Sequence, residues 1–317
     1  MPKPRGTRGT SSGSADRIRL RFPYPIVAIA PYNCAMCLLV AAWKTHPRYR
    51  LVLAGNRDEF HDRPAAPLGW WQDDARVLAG RDLRAQGTWL GVARSGRFGV
   101  LTNFRDLQAP IEGAPTRGGL VTRFLTGATS PKEFLDDLRG AAPRYSGFNL
   151  LVGGPRALYY YSNRGLTAPQ VLEPGVYGLS NHLLDTPWPK LMRTKKRFSE
   201  LLTQSELRAE DAFAMLADRE QARDDELPST GLPADWERMV SAPFITNERY
   251  GTRCSTVLLV ERNGRTILHE RRYDNAGVQT GTTRFEFKSA DVPDVWFEAG
   301  DPDEEHVGDP SFDTSPE

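Results

Sequence analysis

Between residues 37 and 288, short apolar runs alternate with clusters of turn-forming residues, and the apolar spacing switches from strand-like to helical and back. Residues 37–43 and 50–55 are apolar runs separated by Lys44-Thr45-His46-Pro47-Arg48-Tyr49, which predicts a β-hairpin. Residues 76–80 form a further short strand candidate, and 88–94 pairs naturally with 98–102 around Ser95-Gly96-Arg97. Helical spacing follows at 120–125 and 131–138, the second with proline in its first turn after a serine. A second hairpin is predicted from 148–152 and 157–161 over Gly153-Gly154-Pro155, and a strand at 176–180. Residues 189–203 and 209–217 read as helices, with Leu191, Met192, Phe198, Leu201 and Leu202 as the apolar stripe of the first. The stretch 224–235 is a polar, proline-broken loop. Strands at 256–261 and 266–271 flank Asn263-Gly264, the strongest hairpin signal in the chain, and 283–287 closes the pattern. No βα unit repeats and no phosphate-loop glycine pattern occurs. That order favours α+β architecture, antiparallel sheets with helices on their outer faces.

Composition changes the picture at the two ends. The 317 residues suit one large domain or two small ones. No run approaches the ~18 apolar residues that argue for a membrane span. Three cysteines (Cys34, Cys37 and Cys254) cannot make a disulfide framework, so a reduced, cytoplasmic protein is expected. Residues 1–35 carry six Lys or Arg against one Asp, and residues 289–317 carry ten Asp or Glu with no Lys or Arg. The first segment reads as a disordered extension or an upstream mis-start of the reading frame, with an organelle-targeting peptide as the other reading. The last reads as a disordered acidic tail, which leaves 36–288 as the folded domain. The body keeps a modest basic excess, compatible with a small anionic ligand; no basic cluster interleaves with aromatics, so nucleic acid is not an expected partner.

The chemistry begins at Met36-Cys37. If Cys37 becomes the chain terminus, it carries a thiol and an α-amine of pKa near ~7.7–8.0, which can take the thiol proton. The plain alternative is a small buried strand residue. Asn56-Arg57-Asp58-Glu59 follows at the end of the next strand, where a strand leaving its sheet commonly carries a site. An arginine near a thiol lowers its pKa and can hold a carboxylate or phosphate, whereas the bland reading is a loop-end salt-bridge network. Asn103 and Asn181 each follow a strand and offer side-chain amides to a developing oxyanion, or simply form turns. Arg253 lies at the start of a late strand.

Taken together and in order, Met36-Cys37, Gly55-Asn56-Arg57-Asp58-Glu59-Phe60, Arg63-Pro64, Gly87-Thr88-Trp89-Leu90-Gly91, Thr102-Asn103-Phe104-Arg105, Leu179-Ser180-Asn181-His182, Thr186-Pro187-Trp188-Pro189-Lys190 and Gly251-Thr252-Arg253-Cys254-Ser255-Thr256 resemble the NRDE family, also called the transport and Golgi organisation 2 family. The resemblance implies a fold like that of N-terminal-nucleophile (Ntn) hydrolases, a four-layer αββα sandwich. It implies Cys37 as nucleophile, Arg57 and Asp58 beside it, Asn181 at the oxyanion and, more loosely, Arg253 by the nucleophile. Asn56, Glu59, Asn103, Arg105 and His182 are the expected substrate contacts, with no metal and no cofactor. The implied activity is hydrolysis or acyl transfer on an amide or thioester of a small acidic molecule. The alternative is a non-catalytic carrier of haem or an acyl lipid, in which Arg57 and Arg105 bind anionic groups and His61 or His182 is an iron ligand. As written, Cys37 is internal, so the terminal-amine mechanism requires a start at Met36 or cleavage before Cys37.

Overall fold

Strand β1 (Cys37–Trp43) is apolar on both sides because both of its faces are covered. Leu39 points into a core it shares with Leu51 and Leu53, while Val40 and Ala42 join Val52 and Ala54 in another. A computed structural model describes Met1 and residues 37–105, 111 and 113–289. The segment before Cys37 and the acidic stretch from residue 290 lie outside the described residues.

Two antiparallel sheets stack face to face. The six-stranded sheet has β1 next to β2 (Tyr49–Phe60), which pairs in turn with β11 (Tyr250–Glu261). Strand β12 (Arg265–Tyr273) and then β13 (Gln279–Lys288) follow, and β10 (Gly175–Leu179) lies on the far side of β1. The seven-stranded sheet runs in sequence order: β3 (Ala65–Trp70), β4 (Val77–Asp82), β5 (Leu90–Ala93), β6 (Phe98–Asn103), β7 (Phe148–Gly153), β8 (Leu158–Ser162) and β9 (Gln170–Val171). Between the sheets lie Leu39, Leu53, Leu78, Val100, Leu151 and Leu258.

Helices cover the outer faces. Helix α1 (Gly118–Thr126) and helix α2 (Pro131–Ala141) bury Val121, Phe124, Phe134 and Leu138 on the seven-stranded sheet. Helix α3 (Pro189–Leu201) and helix α4 (Ala209–Leu216) bury Phe198, Phe213 and Leu216 on the six-stranded sheet. The expected αββα order is therefore what the chain adopts.

Three differences from the sequence pattern have physical causes. Strand β2 does not end at Gly55; it continues through Asn56-Arg57-Asp58-Glu59 because β11 pairs with it as far as Tyr250 opposite Phe60. A bulge leaves Arg253 outside the ladder, between Thr252 opposite Asp58 and Cys254 opposite Arg57. Strand β3 escapes pattern reading because Pro67 and Gly69 interrupt it and its pairing slips between Ala66 and Gly69. Helix α5 (Ala234–Met239) opens directly after Pro233, inside and just beyond the stretch read as a loop.

Candidate active site

Register across the six-stranded sheet sets the site. Cys37 lies opposite Arg57, Arg57 opposite Cys254, and Cys254 opposite Arg272. Gly55, two residues before Arg57, allows β1 and β2 to close tightly: a Cβ there would lie 2.8 Å from the Leu38 carbonyl oxygen. Period-two alternation then divides the polar run of β2 between the faces. Arg57 points between the sheets and lies over the Trp89 ring, 4.4 Å from its centroid. Asn56 and Asp58 point to the helical layer.

The head of β1 is held from β10. The Cys37 backbone nitrogen donates to Asn181 Oδ1 at 3.1 Å, and Ser180 Oγ donates to the Cys37 carbonyl at 2.8 Å. Asn181 is itself fixed, because its Nδ2 donates to the Asn103 carbonyl and its own carbonyl accepts from the Arg105 backbone. Asn181 thus presents its oxygen, not its amide, to Cys37. In this arrangement it holds the Cys37 nitrogen, and its amide is turned to the Asn103 carbonyl.

Cys37 keeps some solvent access and opens on a cavity of about 620 Å³ lined also by Arg57, Asp58, Glu59, Asn103 and Arg117. Burial pushes its thiol up to about 12, helped by the Asp58 carboxylate; the Asp58 backbone N–H and the Arg57 guanidinium pull the other way. With Met36 attached to Cys37, the pull of Arg57 is in the expected direction but does not offset burial. Arg57 Nη1 is buried without a hydrogen-bond partner, and Nη2 lies 3.8 Å from Glu59. Glu59 also faces Arg63, which is paired with Asp82 at 2.6 Å. Asp58 is fully buried, with one oxygen accepting from Thr252 Oγ1 at 2.6 Å.

Five expected residues do not line this cavity: Asn181, which holds the Cys37 nitrogen, and four others. Asn56 spends its side chain on the Leu216 and Pro243 carbonyls and the Ser255 hydroxyl. Arg105 makes a buried ion pair with Glu237 at 2.7 Å and stacks on Trp188. His182 bonds Thr186 and packs against Phe104 and Trp188. Arg253, the bulge residue, donates to the Phe60 and Arg63 carbonyls instead. His61 does line the cavity, its Nε2 lying 3.0 Å from the Asn247 carbonyl. Among the described residues no cluster of three His, Cys, Asp or Glu could hold a metal.

Sequence reasoning missed several contributors. Arg117, just ahead of α1, carried no motif; burial brings its guanidinium down to about 10, and one nitrogen donates to the Gly147 carbonyl. Trp89, Thr252 and Lys190 fell inside motifs but had no assigned role. Cys34 and Cys37 also form a C-x-x-C spacing that the pattern reading passed over; Cys34 lies outside the described residues.

Two antiparallel sheets between helical layers, with a cysteine heading the first strand beside a buried arginine and opening on a cavity, define an αββα sandwich protein with a candidate thiol nucleophile. The family model for Transport and Golgi organisation 2 matches residues 36–275, and the chain belongs to that family. It is 34% identical to the mouse Transport and Golgi organization 2 homolog over 278 residues, 80% of this chain and all of the mouse protein. The human homolog is 34% identical over 273 residues, and the Drosophila melanogaster protein 29% identical over 252. Those alignments take in 80% and 71% of this chain, and 99% and 88% of the relatives. A solved structure of the Caenorhabditis elegans N-acylethanolamine-hydrolyzing acid amidase ortholog covers 70% of this chain and 92% of its own. Its identity is 12% and its TM-score 0.40, a distance at which the likeness says nothing of substrate.

Proposed function

We propose that the chain is a cysteine hydrolase or acyl transferase of the N-terminal-nucleophile type, acting on an amide or thioester of a small anionic molecule once Cys37 is its first residue. The observation that carries this reading is the grip on the Cys37 nitrogen, 3.1 Å from Asn181 Oδ1, beside a sulfur that opens on the cavity. An amine at that position stays next to the thiol and takes its proton. The thiolate attacks the acyl carbon, and the C–N or C–S bond breaks as the leaving group takes the proton from the ammonium. The resulting thioester on Cys37 is released by water or by an acceptor nucleophile. Arg57 supplies the cation for the substrate's anionic group, and Asn103 lines the same cavity.

A carrier of an anionic cargo, haem or an acyl ligand, is the second reading. It is favoured by the position of the thiol at about 12 in the uncleaved chain, where it is not a nucleophile near neutral pH. Arg57 would then hold the cargo, since Arg105 is committed to Glu237. Mass spectrometry of the native N-terminus, with a panel of N-acyl and acyl-CoA compounds and a haemin titration, separates the two. The hydrolase reading expects Cys37 at the terminus, turnover lost in Cys37→Ser with binding retained, and both lost in Arg57→Ala. An intact Met36–Cys37 bond in active protein, or haemin bound alike by wild type and Cys37→Ser with nothing turned over, moves the conclusion to the carrier.

A further inference from the structure

Lys190 occupies the first turn of α3, packed on the outer face of the six-stranded sheet. It is 2% exposed, and its Nζ has no hydrogen-bond partner. A cation in the first turn also opposes the helix dipole. A buried ammonium under those conditions needs a charge to offset it. Asp58 provides one: it is fully buried on the same face, Thr252 holds Oδ1, and Oδ2 has no hydrogen-bond partner. Cys37 from β1, and Arg105 and Glu237, which are paired with each other, are the other charged or titratable groups that act on Lys190. Burial brings Lys190 down and lifts Asp58; each is the strongest charge opposing that shift in the other.

We propose that Lys190 is a positioning residue for the nucleophile, its ammonium holding the Asp58 carboxylate ionised beside Cys37. The amine at Cys37 belongs to the hydrolase reading; the offset of Asp58 by Lys190, two buried opposite charges with no direct bond between them, does not depend on it. In the reaction it would keep a negative charge next to the ammonium that forms when the amine takes the thiol proton.

The test is a double-mutant cycle on the full chain, read by thermal melts from pH 5 to pH 8 and by iodoacetamide labelling of Cys37. In Lys190→Met the Asp58 pKa climbs further above its unfolded value near ~3.9, so stability falls as pH rises through that window. Its melting deficit should be larger at pH 8 than at pH 5 by roughly 5 °C. Asp58→Asn strands the lysine instead, and its deficit should grow as pH falls from 8 to 6. Lys190→Met/Asp58→Asn should lose both pH dependences, and Lys190→Arg should stay close to wild type. On the full chain the Asp58 carboxylate raises the thiol, so labelling should quicken in Asp58→Asn, and Lys190→Met should change it no further once Asp58 is gone, because the two residues act as a unit. A pH-independent deficit in Lys190→Met, or labelling changes that simply add in the double variant, would reduce Lys190 to packing and overturn the proposal. Should Lys190→Met fail to fold, the pH slope of Asp58→Asn decides alone, and a flat slope overturns it. Neither readout uses a substrate, so a chain that passes this cycle and turns over nothing sinks the hydrolase reading while leaving the pair intact.

Discussion

The Cys37 thiol and the Cys37 nitrogen are both inert while a peptide bond precedes them. With that bond intact, the sulfur is held neutral by burial and by the Asp58 carboxylate, and the nitrogen is an amide with no basicity. The uncleaved chain should label with iodoacetamide at pH 8 more slowly than a free cysteine of pKa about 8.5, and protein starting at Cys37 should label faster. Peptide mapping after a timed pulse reads both; equal rates in the two forms would remove the amine from the argument. Cys254 should stay slow in either form, because it is buried, its thiol is raised, and Glu270 lies beside it. Arg57→Ala should weaken ligand capture, since it removes a buried cation whose Nη1 has no protein acceptor. A fluorescence or calorimetric titration with a carboxylate or phosphate ester checks it, and unchanged affinity would deny Arg57 that role.

At the scale of elements, two polar devices fix segments outside the cavity. Helix α2 opens with a reciprocal capping box: Ser130 Oγ accepts from the Glu133 backbone, and the Glu133 carboxylate accepts from the Ser130 backbone. Ser130→Ala should cost about 1 kcal/mol in a urea melt without touching the cavity. The Arg105–Glu237 pair ties the segment after β6 to α5, with both side chains nearly inaccessible. Arg105→Ala leaves Glu237 buried and unmatched, and should cost about 3–5 kcal/mol; a loss under 1 kcal/mol would return Arg105 to the ligand-binding role expected from sequence. Strands and helices were legible because β1, β2, β11 and β12 are long and apolar and Asn263-Gly264 marks its own turn. Cys37, Arg57, Asp58 and Asn103 were legible as cavity residues, and Asn181 as a neighbour of Cys37. What period-two reading could not give was the face each polar residue takes once β2 runs on past Gly55. Asn56 and Arg57 are adjacent in sequence, yet one bonds the Leu216 carbonyl and the other stacks on Trp89. Arg117 and Lys190 come from helical segments that fold back on the strands, so no local spacing marks them.

On the scale of the whole molecule, the two sheets are held together by more than apolar packing. Glu270 of β12 reaches across to accept from the Leu68 backbone of β3 at 2.9 Å, and Trp70 of β3 packs edge-on against Phe285 and Phe287 of β13. Burial raises the Glu270 carboxyl, so its folded form resists ionising. Stability should therefore decline as pH rises from about 4.3 toward the raised value, and Glu270→Gln should keep the bond while flattening that slope. Glu270→Ala leaves a buried N–H unmatched and should cost about 1–3 kcal/mol at all pH values. Melting curves of the three proteins from pH 4 to pH 8 check both statements. Along β11, Arg253 breaks the parity of the strand: even-numbered residues from Cys254 onward face the other sheet, while Thr252, also even, faces Asp58 and the helices. A single-codon deletion at 253 would accordingly restore an unbroken count and leave Thr252 opposite Asp58 and Cys254 opposite Arg57. The ladder can do without this residue; the Phe60 and Arg63 carbonyls cannot. Deletion and Arg253→Ala should therefore be equivalent lesions, both felt where the chain turns from β2 toward the opposite sheet.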